Sequence, residues 1–134
     1  MYLADTNVIS ETRKARPHGA VRSWFDSLPP RDILIAAVTI GELQAGAEST
    51  RRQDVVKAEQ IVLWIDQIVM AFTVIPADAE VFRAWARLKH GLTRDLLEDA
   101  LIAATAQVHG LTVATRNVRD FARFGVPTIN PFAA

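Results

Sequence analysis

The sequence predicts an α/β fold, a three-layer α/β/α sandwich with a central, mostly parallel sheet of four to five strands. Three observations predict it. Short apolar runs recur without apolar/polar alternation, which is how strands covered on both faces read. Segments with apolar residues at helical spacing fill the gaps, and such alternation of strand and helix implies right-handed crossovers. The chain has 134 residues, 50% of them hydrophobic. That suits one core rather than two marginal ones, and it excludes a disordered chain.

The elements follow in order. Residues 1–4 are apolar and end at Asp5, a buried strand. Residues 19–27 place Val21, Trp24, Phe25 and Leu28 at helical spacing, and Pro29-Pro30 punctuates the chain before a second strand at 33–37. Thr39 can cap a helix that runs through Leu43 and Ala47. Residues 53–69 form a long helix with Val56, Ile61, Trp64, Ile65 and Ile68 on one side, followed by a strand at 73–75. Asp78 can cap the next helix, whose buried stripe is Val81, Phe82, Trp85 and Leu88. Residues 97–108 form another helix, ended by Gly110 as a C-cap. A strand at 111–114, a short helix and a final strand at Thr128-Ile129 complete the order. The three tryptophans, Trp24, Trp64 and Trp85, fall on apolar stripes and read as core rather than as platforms for stacked bases.

Composition excludes several classes of function. Lys and Arg total 15, Asp and Glu total 15, and the formal net charge is zero. A bulk-charge binder of nucleic acid or anionic membrane is therefore excluded. With no cysteine, disulfides, thiol catalysis and thiolate zinc sites are all excluded, and a reduced, cytoplasmic setting is expected. No apolar run is long enough to span a membrane, and the N-terminus lacks the basic start of a signal peptide.

Most acids, such as Asp26, Asp32, Asp54, Asp66 and Glu80, stand in polar company and read as solvated charges. Four do not. Asp5 ends an apolar strand, Glu42 lies just after a strand in a first helical turn, Asp99 opens a nearly all-apolar helix, and Asp120 follows the strand at 112–114 by one short turn. An unpartnered buried carboxylate costs several kcal/mol, so such acids need a cation or donors. Positions after strand ends share one rim of an open parallel sheet, the rim where ligands bind. No lysine lies near any of the four, so a hard divalent cation, Mg²⁺ or Mn²⁺, is the natural counter-charge for all-oxygen ligands. Each acid alone has a structural explanation: Asp5 as a helix cap, Glu42 and Asp99 as partners of a helix dipole. Thr6 and Asn7 beside Asp5, and Thr115 and Asn117 before Asp120, are placed to orient a carboxylate or a water, although both pairs also suit plain turn and cap chemistry.

These motifs, in this order, resemble the PIN-domain ribonucleases, and within them the VapC-type, FitB-like toxins of type II toxin–antitoxin pairs. The resemblance runs nearly end to end. It covers Tyr2-Leu3-Ala4-Asp5-Thr6-Asn7-Val8-Ile9-Ser10 and Val38-Thr39-Ile40-Gly41-Glu42-Leu43 with the trailing Gly46. It continues through Asp99-Ala100-Leu101-Ile102-Ala103-Ala104-Thr105-Ala106 and Gly110-Leu111-Thr112, and closes with Thr115-Arg116-Asn117-Val118-Arg119-Asp120-Phe121 and Asn130-Pro131-Phe132. It implies that residues 1–134 form a single PIN-like domain and that the protein is a Mg²⁺- or Mn²⁺-dependent endoribonuclease. Asp5, Glu42 and Asp99 match the family's first three acids, with Glu98 the rival to Asp99. The fourth acidic position falls on Asp120 or on Asn117, with Asp120 favoured. Asp5 and Asp99 would hold the metal, with Glu42 and Asp120 binding directly or through water. The family's toxins usually form homodimers and bind a small VapB-type antitoxin, whose apolar segment lies in a groove. The resemblance is also compatible with a higher toxin–antitoxin assembly.

Arginines outnumber lysines, and they gather near both ends of this motif set. Arg13 and Arg16 follow the first motif, while Arg116 and Arg119 flank the last acid. They are candidate contacts for RNA phosphates, with a solvated basic face as the plain alternative. The zero net charge then reads as the sum of an acidic cluster and an arginine-rich margin. His18, His90 and His109 fall in loops or helix ends and read as surface residues. A phosphoacceptor receiver domain would need paired acids after the first strand and a lysine after the last. A haloacid-dehalogenase-type phosphatase would need an acid where Asn7 stands. A non-catalytic binding module with structural acids is the alternative to an enzyme, and it predicts no divalent-metal binding.

Overall fold

A computed structural model describes residues 1–92 and 96–133. Its centre is a five-stranded, all-parallel sheet in the order β3-β2-β1-β4-β5. The strands are β1 (Tyr2–Ala4), β2 (Ile33–Ala36), β3 (Thr73–Ile75), β4 (Thr112–Ala114) and β5 (Thr128–Ile129). The helices are α1 (Thr6–Ser10), α2 (Gly19–Asp26), α3 (Ala37–Arg51), α4 (Val55–Ala71), α5 (Ala79–Leu88), α6 (Leu97–His109) and α7 (Val118–Ala122). A 3₁₀ turn, Glu11–Arg13, continues α1, and another, Pro30–Asp32, precedes β2.

Both faces of the sheet are covered, which is why its strands do not alternate. On one face Leu3, Val113 and Ile75 pack with Ile102 and Ala106 of α6 and with Phe121 of α7. On the other, Ile35 packs with Leu43 of α3 and with Ile61, Ile65 and Ile68 of α4, while Ala4 and Ile33 meet Val8 and Val21. Each Ile or Leu so buried contributes roughly 1.5–3 kcal/mol.

Strand order decides where a ligand crevice lies. From β1 the chain steps to β2 and β3 on one side, then returns to β4 and β5 on the other. The order reverses between β1 and β4, and in such sheets ligands bind outside the carboxyl ends of the strands that flank the reversal. Asp5 directly follows β1, and Thr115 directly follows β4.

Several expected details shift. Helix α3 begins at Ala37, with Ala36 at its N-cap and no side-chain cap bond, so Thr39 lies inside the helix instead of capping it. Glu42 consequently falls in the second turn, too far along for the helix dipole to explain it. Asp54, read as a solvated charge, caps α4 through the Lys57 N–H at 3.0 Å. Asp78 caps α5 through the Val81 N–H at 3.0 Å, and Gly110 closes α6 at φ 65°, both as expected. Val56 and Phe82 are exposed, because Ala58 and Ala84 take the inward positions on their helices. The tryptophans are half-buried at the margins of the core. Trp24 stacks edge-on against Tyr2, and the Trp85 Nε1–H donates to the Leu97 carbonyl at 3.1 Å. No helix among the described residues is long and apolar enough to cross a membrane.

A candidate metal-dependent active site

The Asp5 carboxylate stands at the reversal between β1 and β4, and it is 4% exposed. The Asp5 N–H donates to the Ala114 carbonyl at 2.9 Å, which continues the β1–β4 ladder and fixes the residue's position. One carboxylate oxygen accepts from the Thr6 N–H at 2.6 Å, and the other accepts from the Thr115 hydroxyl at 2.7 Å. Thr115 is fully buried and also accepts from the Asn117 N–H at 2.9 Å. The two motifs, 110 residues apart in sequence, are thus joined through one hydroxyl. Burial raises the Asp5 pKa above the ordinary carboxylate value, against the lowering effect of these two hydrogen bonds.

Other acids crowd this point. The Glu42 carboxyl is pushed up to about 7, first by burial, then by the charge and carboxyl of Glu98, then by Asp5. The Asp99 carboxyl is raised to about 6 by burial, then by the charges of Asp5, Asp120 and Glu98. Glu98 and Asp99 occupy the first turn of α6, and Asp120 the first turn of α7. The four predicted acids are thus linked in pairs, Glu42 to Asp5 and Asp99 to Asp5 and Asp120, with Glu98 acting on both Glu42 and Asp99. Glu98, expected as a rival to Asp99, is a fifth member beside it.

The supporting residues divide. Thr115 holds Asp5 directly. The Thr6 hydroxyl lies beside Glu42 and lowers its pKa somewhat, yet neither Thr6 Oγ1 nor Glu42 Oε1 completes a well-formed hydrogen bond, and both are buried. Asn117 sits at the N-cap of α7 without a side-chain cap bond. The Asn7 side chain is exposed, and no hydrogen bond among the described residues joins it to the acids.

The candidate arginines differ in their surroundings. Arg13 lines a cavity of about 200 Å³ together with Glu42, Gly46, Ile61 and Trp64. The Arg116 guanidinium lies over the Phe132 ring, 3.8 Å from its centroid, and the His18 ring meets the same phenylalanine edge-on. Arg16 and Arg119 are exposed. A separate, mostly apolar cavity between the Glu11–Arg13 turn and α2 includes none of the cluster acids.

One buried acid escaped the sequence reading. Glu11 is 5% exposed, accepts from Lys14 Nζ at 2.5 Å and from the His18 N–H at 2.9 Å, and has its pKa lowered, first by the Lys14 bond. It stands in polar company, Ser10-Glu11-Thr12-Arg13-Lys14, so no local pattern marks it as buried.

The donor set suits a hard divalent cation. Among the described residues the ion pairs join Lys14 to Glu11 and Arg51 to Glu48 and Glu59, and none reaches Asp5, Glu42, Glu98, Asp99 or Asp120. Desolvated carboxylates with raised pKa values and an orphaned buried oxygen, Glu42 Oε1, lack only positive charge. Among the described residues no three side chains already form a ligand set for one ion.

Comparisons with known proteins show the family and the fold. The PIN domain family model matches residues 2–127. The chain is 34% identical to Toxin FitB of Neisseria gonorrhoeae, over 98% of this chain and 99% of that protein. The crystal structure of FitAcB from the same organism matches with a TM-score of 0.87, covering 100% of both chains at 34% identity. The chain is also 34% identical to the VapC ribonuclease Y4jK of Sinorhizobium fredii, with 98% of each chain covered. The crystal structure of DNA-bound VapBC from Salmonella typhimurium matches at 25% identity and a TM-score of 0.79, covering 97% of both chains. The chain belongs to the PIN-domain family.

Proposed function

We propose that this protein is a divalent-metal-dependent endoribonuclease that acts as the toxin of a toxin–antitoxin pair. One observation carries the reading: a buried Asp5 carboxylate at the sheet reversal, held by Thr115, beside Glu42 and Asp99, whose pKa values are also raised and which form no ion pair among the described residues. The relatives named a toxin and a ribonuclease support it.

Asp5 and Asp99 would hold Mg²⁺ or Mn²⁺, with Glu42 and Asp120 contributing directly or through water. When bound, the ion supplies positive charge against the phosphodiester and lowers the pKa of a water. The Thr115 hydroxyl keeps the Asp5 carboxylate in one orientation, so its ligand oxygens need no reorganisation. Asp99 or Asp120 orients the attacking water in line with the leaving oxygen. Water oxygen bonds to phosphorus, the bond to the 3′ oxygen breaks, and that oxygen takes a proton, leaving a 5′-phosphate and a 3′-hydroxyl. Arg13, Arg16, Arg116 and Arg119 bind flanking phosphates. No histidine is required.

The partners proposed are an RNA substrate, a small VapB-type antitoxin and a second copy of the chain, within a larger toxin–antitoxin assembly. The DNA-bound VapBC complex and FitAcB support such an assembly.

The test is RNA cleavage with and without chelator, by wild type and by Asp5→Asn. Cleavage by wild type that chelator and substitution both remove is expected. Equal cleavage in all four reactions would sink the reading. One alternative is a non-catalytic PIN-like module with structural acids, since no three side chains among the described residues form a ready ligand set. That alternative predicts no Mg²⁺ heat in calorimetry.

A further inference from the structure

We propose that the groove between the Glu11–Arg13 turn and α4 is a subsite that reads RNA bases beside the cleaved bond, with Gln60, Gln67, Arg13 and Trp64 as its contacts. This rests on the ribonuclease reading and deepens it by naming specificity-determining residues. A cavity of about 380 Å³ lies there, lined by Thr12, Arg13, Gln60, Ile61, Trp64 and Gln67. That volume is within the range of ligand clefts, roughly 300–1,000 Å³. It shares Arg13, Ile61 and Trp64 with the smaller cavity that contains Glu42. The groove therefore adjoins the cavity at Glu42 and leads away from it.

Its chemistry suits bases better than an apolar peptide. Gln60 and Gln67 stand two helical turns apart on one face of α4, and both are exposed. Each amide offers donors and an acceptor, the complement of a base edge. Arg13 adds a guanidinium that pairs with phosphate or stacks on a base. Trp64 is fixed in place: its Nε1–H donates to Thr12 Oγ1 at 3.0 Å, and the Thr12 hydroxyl donates to the Ile9 carbonyl of α1 at 2.7 Å. An indole tied to the helix that follows Asp5 gives an unstacked base a preordered wall. An apolar peptide laid here would leave both amides without partners, at a cost of their lost hydrogen bonds to water.

The test uses a pool of short single-stranded RNA with a randomised stretch. Wild type, Asp5→Asn and the Gln60→Ala/Gln67→Ala double variant are compared, and the cut ends are sequenced. Both glutamines are exposed, so the double variant is expected to melt as wild type does. It is expected to cut with broadened base preference beside the cleaved bond. In an Asp5→Asn background it should bind the preferred RNA about tenfold more weakly, as for two lost hydrogen bonds. Unchanged preference and unchanged affinity overturn the inference. So does loss of binding to a co-expressed antitoxin with RNA cleavage unaltered, which assigns the groove to a protein partner. Wild-type cleavage that Asp5→Asn abolishes keeps the ribonuclease reading intact whatever the glutamines do. Absence of wild-type cleavage overturns that reading and this inference with it.

Discussion

Two buried acids six residues apart, Asp5 and Glu11, have opposite electrostatics. They are about equally hidden, 4% and 5% exposed. Glu11 has its own cation, Lys14, and a backbone donor from His18, and its pKa is lowered. Asp5 has two neutral donors and acids for company, and its pKa is raised. Burial alone therefore does not mark a functional acid. The distinction is whether the fold supplies the positive charge or leaves it to a ligand. Glu11 closes a local account: it ties the loop at 14–18 to the end of α1. Among the described residues no ion pair reaches the acids around Asp5, at the one place where the strand order opens a crevice.

The strongest way to break this contrast is Asp5→Asn. Single-turnover RNA cleavage should fall on the order of a thousandfold or more, as for a residue that acts with the others as a unit. Retained cleavage would place Asp5 in the same structural class as Glu11. Next in size is Glu11→Gln, which removes the charge of a hidden carboxylate bonded to the exposed Lys14 and to the His18 N–H. It should cost about 1–1.5 kcal/mol in urea unfolding, since solvent screens the exposed lysine. Glu42→Gln should do the reverse in metal-free protein at mildly alkaline pH, raising stability by about 1 kcal/mol, because it removes a desolvated, repelled charge. A loss of stability in Glu42→Gln under those conditions would mean that Glu42 has a partner after all.

The same contrast predicts a pH profile with two limbs. Glu42 titrates near 4.5 when unfolded and at about 7 when folded, and Asp99 near 3.8 and at about 6. Between those values the folded state binds more protons than the unfolded one, so their contribution to metal-free stability falls as pH rises through that window. Glu11 has the opposite sign. Its lowered pKa gives stability that is present above 4.5 and is lost as pH falls through the folded value. Thermal melts against pH, with and without Mg²⁺, separate the two. Mg²⁺ should restore the neutral limb and leave the acidic limb where it is. An identical shift on both limbs would count against metal binding at the cluster.

Much of the fold was legible because covered parallel strands leave apolar runs, and because Asp78 and Gly110 are end signals with a mechanism. Asp5, Glu42, Asp99 and Asp120 stood out because an acid in an apolar run demands an explanation. What stayed hidden depends on tertiary neighbours. Glu11 sits in a polar stretch, and only the packing of the loop at 14–18 buries it. Thr39 is a good cap by residue type, yet α3 starts at Ala37, directly after the last β2–β3 pair, Ala36 with Ile75. Asn7 was read with Thr6 as a pair, but the α1 helix turns Thr6 inward and Asn7 out. Trp64 packs against the core, as its stripe position implies, and the sequence did not show that its Nε1–H bond to Thr12 also makes it a groove wall.

The smallest expected effect tests which cations remain available to RNA. Lys14 is bonded to Glu11 at 2.5 Å, whereas Arg116, next to Thr115, rests on the Phe132 ring, acts on Glu11 only weakly through its charge, and forms no ion pair among the described residues. A cation over an exposed ring gains about 0.5–1 kcal/mol, which orders the side chain without neutralising it. Arg116→Ala, in an Asp5→Asn background that binds without cutting, should weaken RNA affinity a few-fold and reduce the slope of log affinity against log salt by about one. Phe132→Leu should weaken affinity less and leave the slope unchanged, since it removes the support and keeps the charge. Lys14→Ala should leave the slope unchanged too, because that charge was never available to phosphate. If Lys14→Ala changes the slope as much as Arg116→Ala does, the basic margin is a uniform solvated face, and the division between committed and available charge fails.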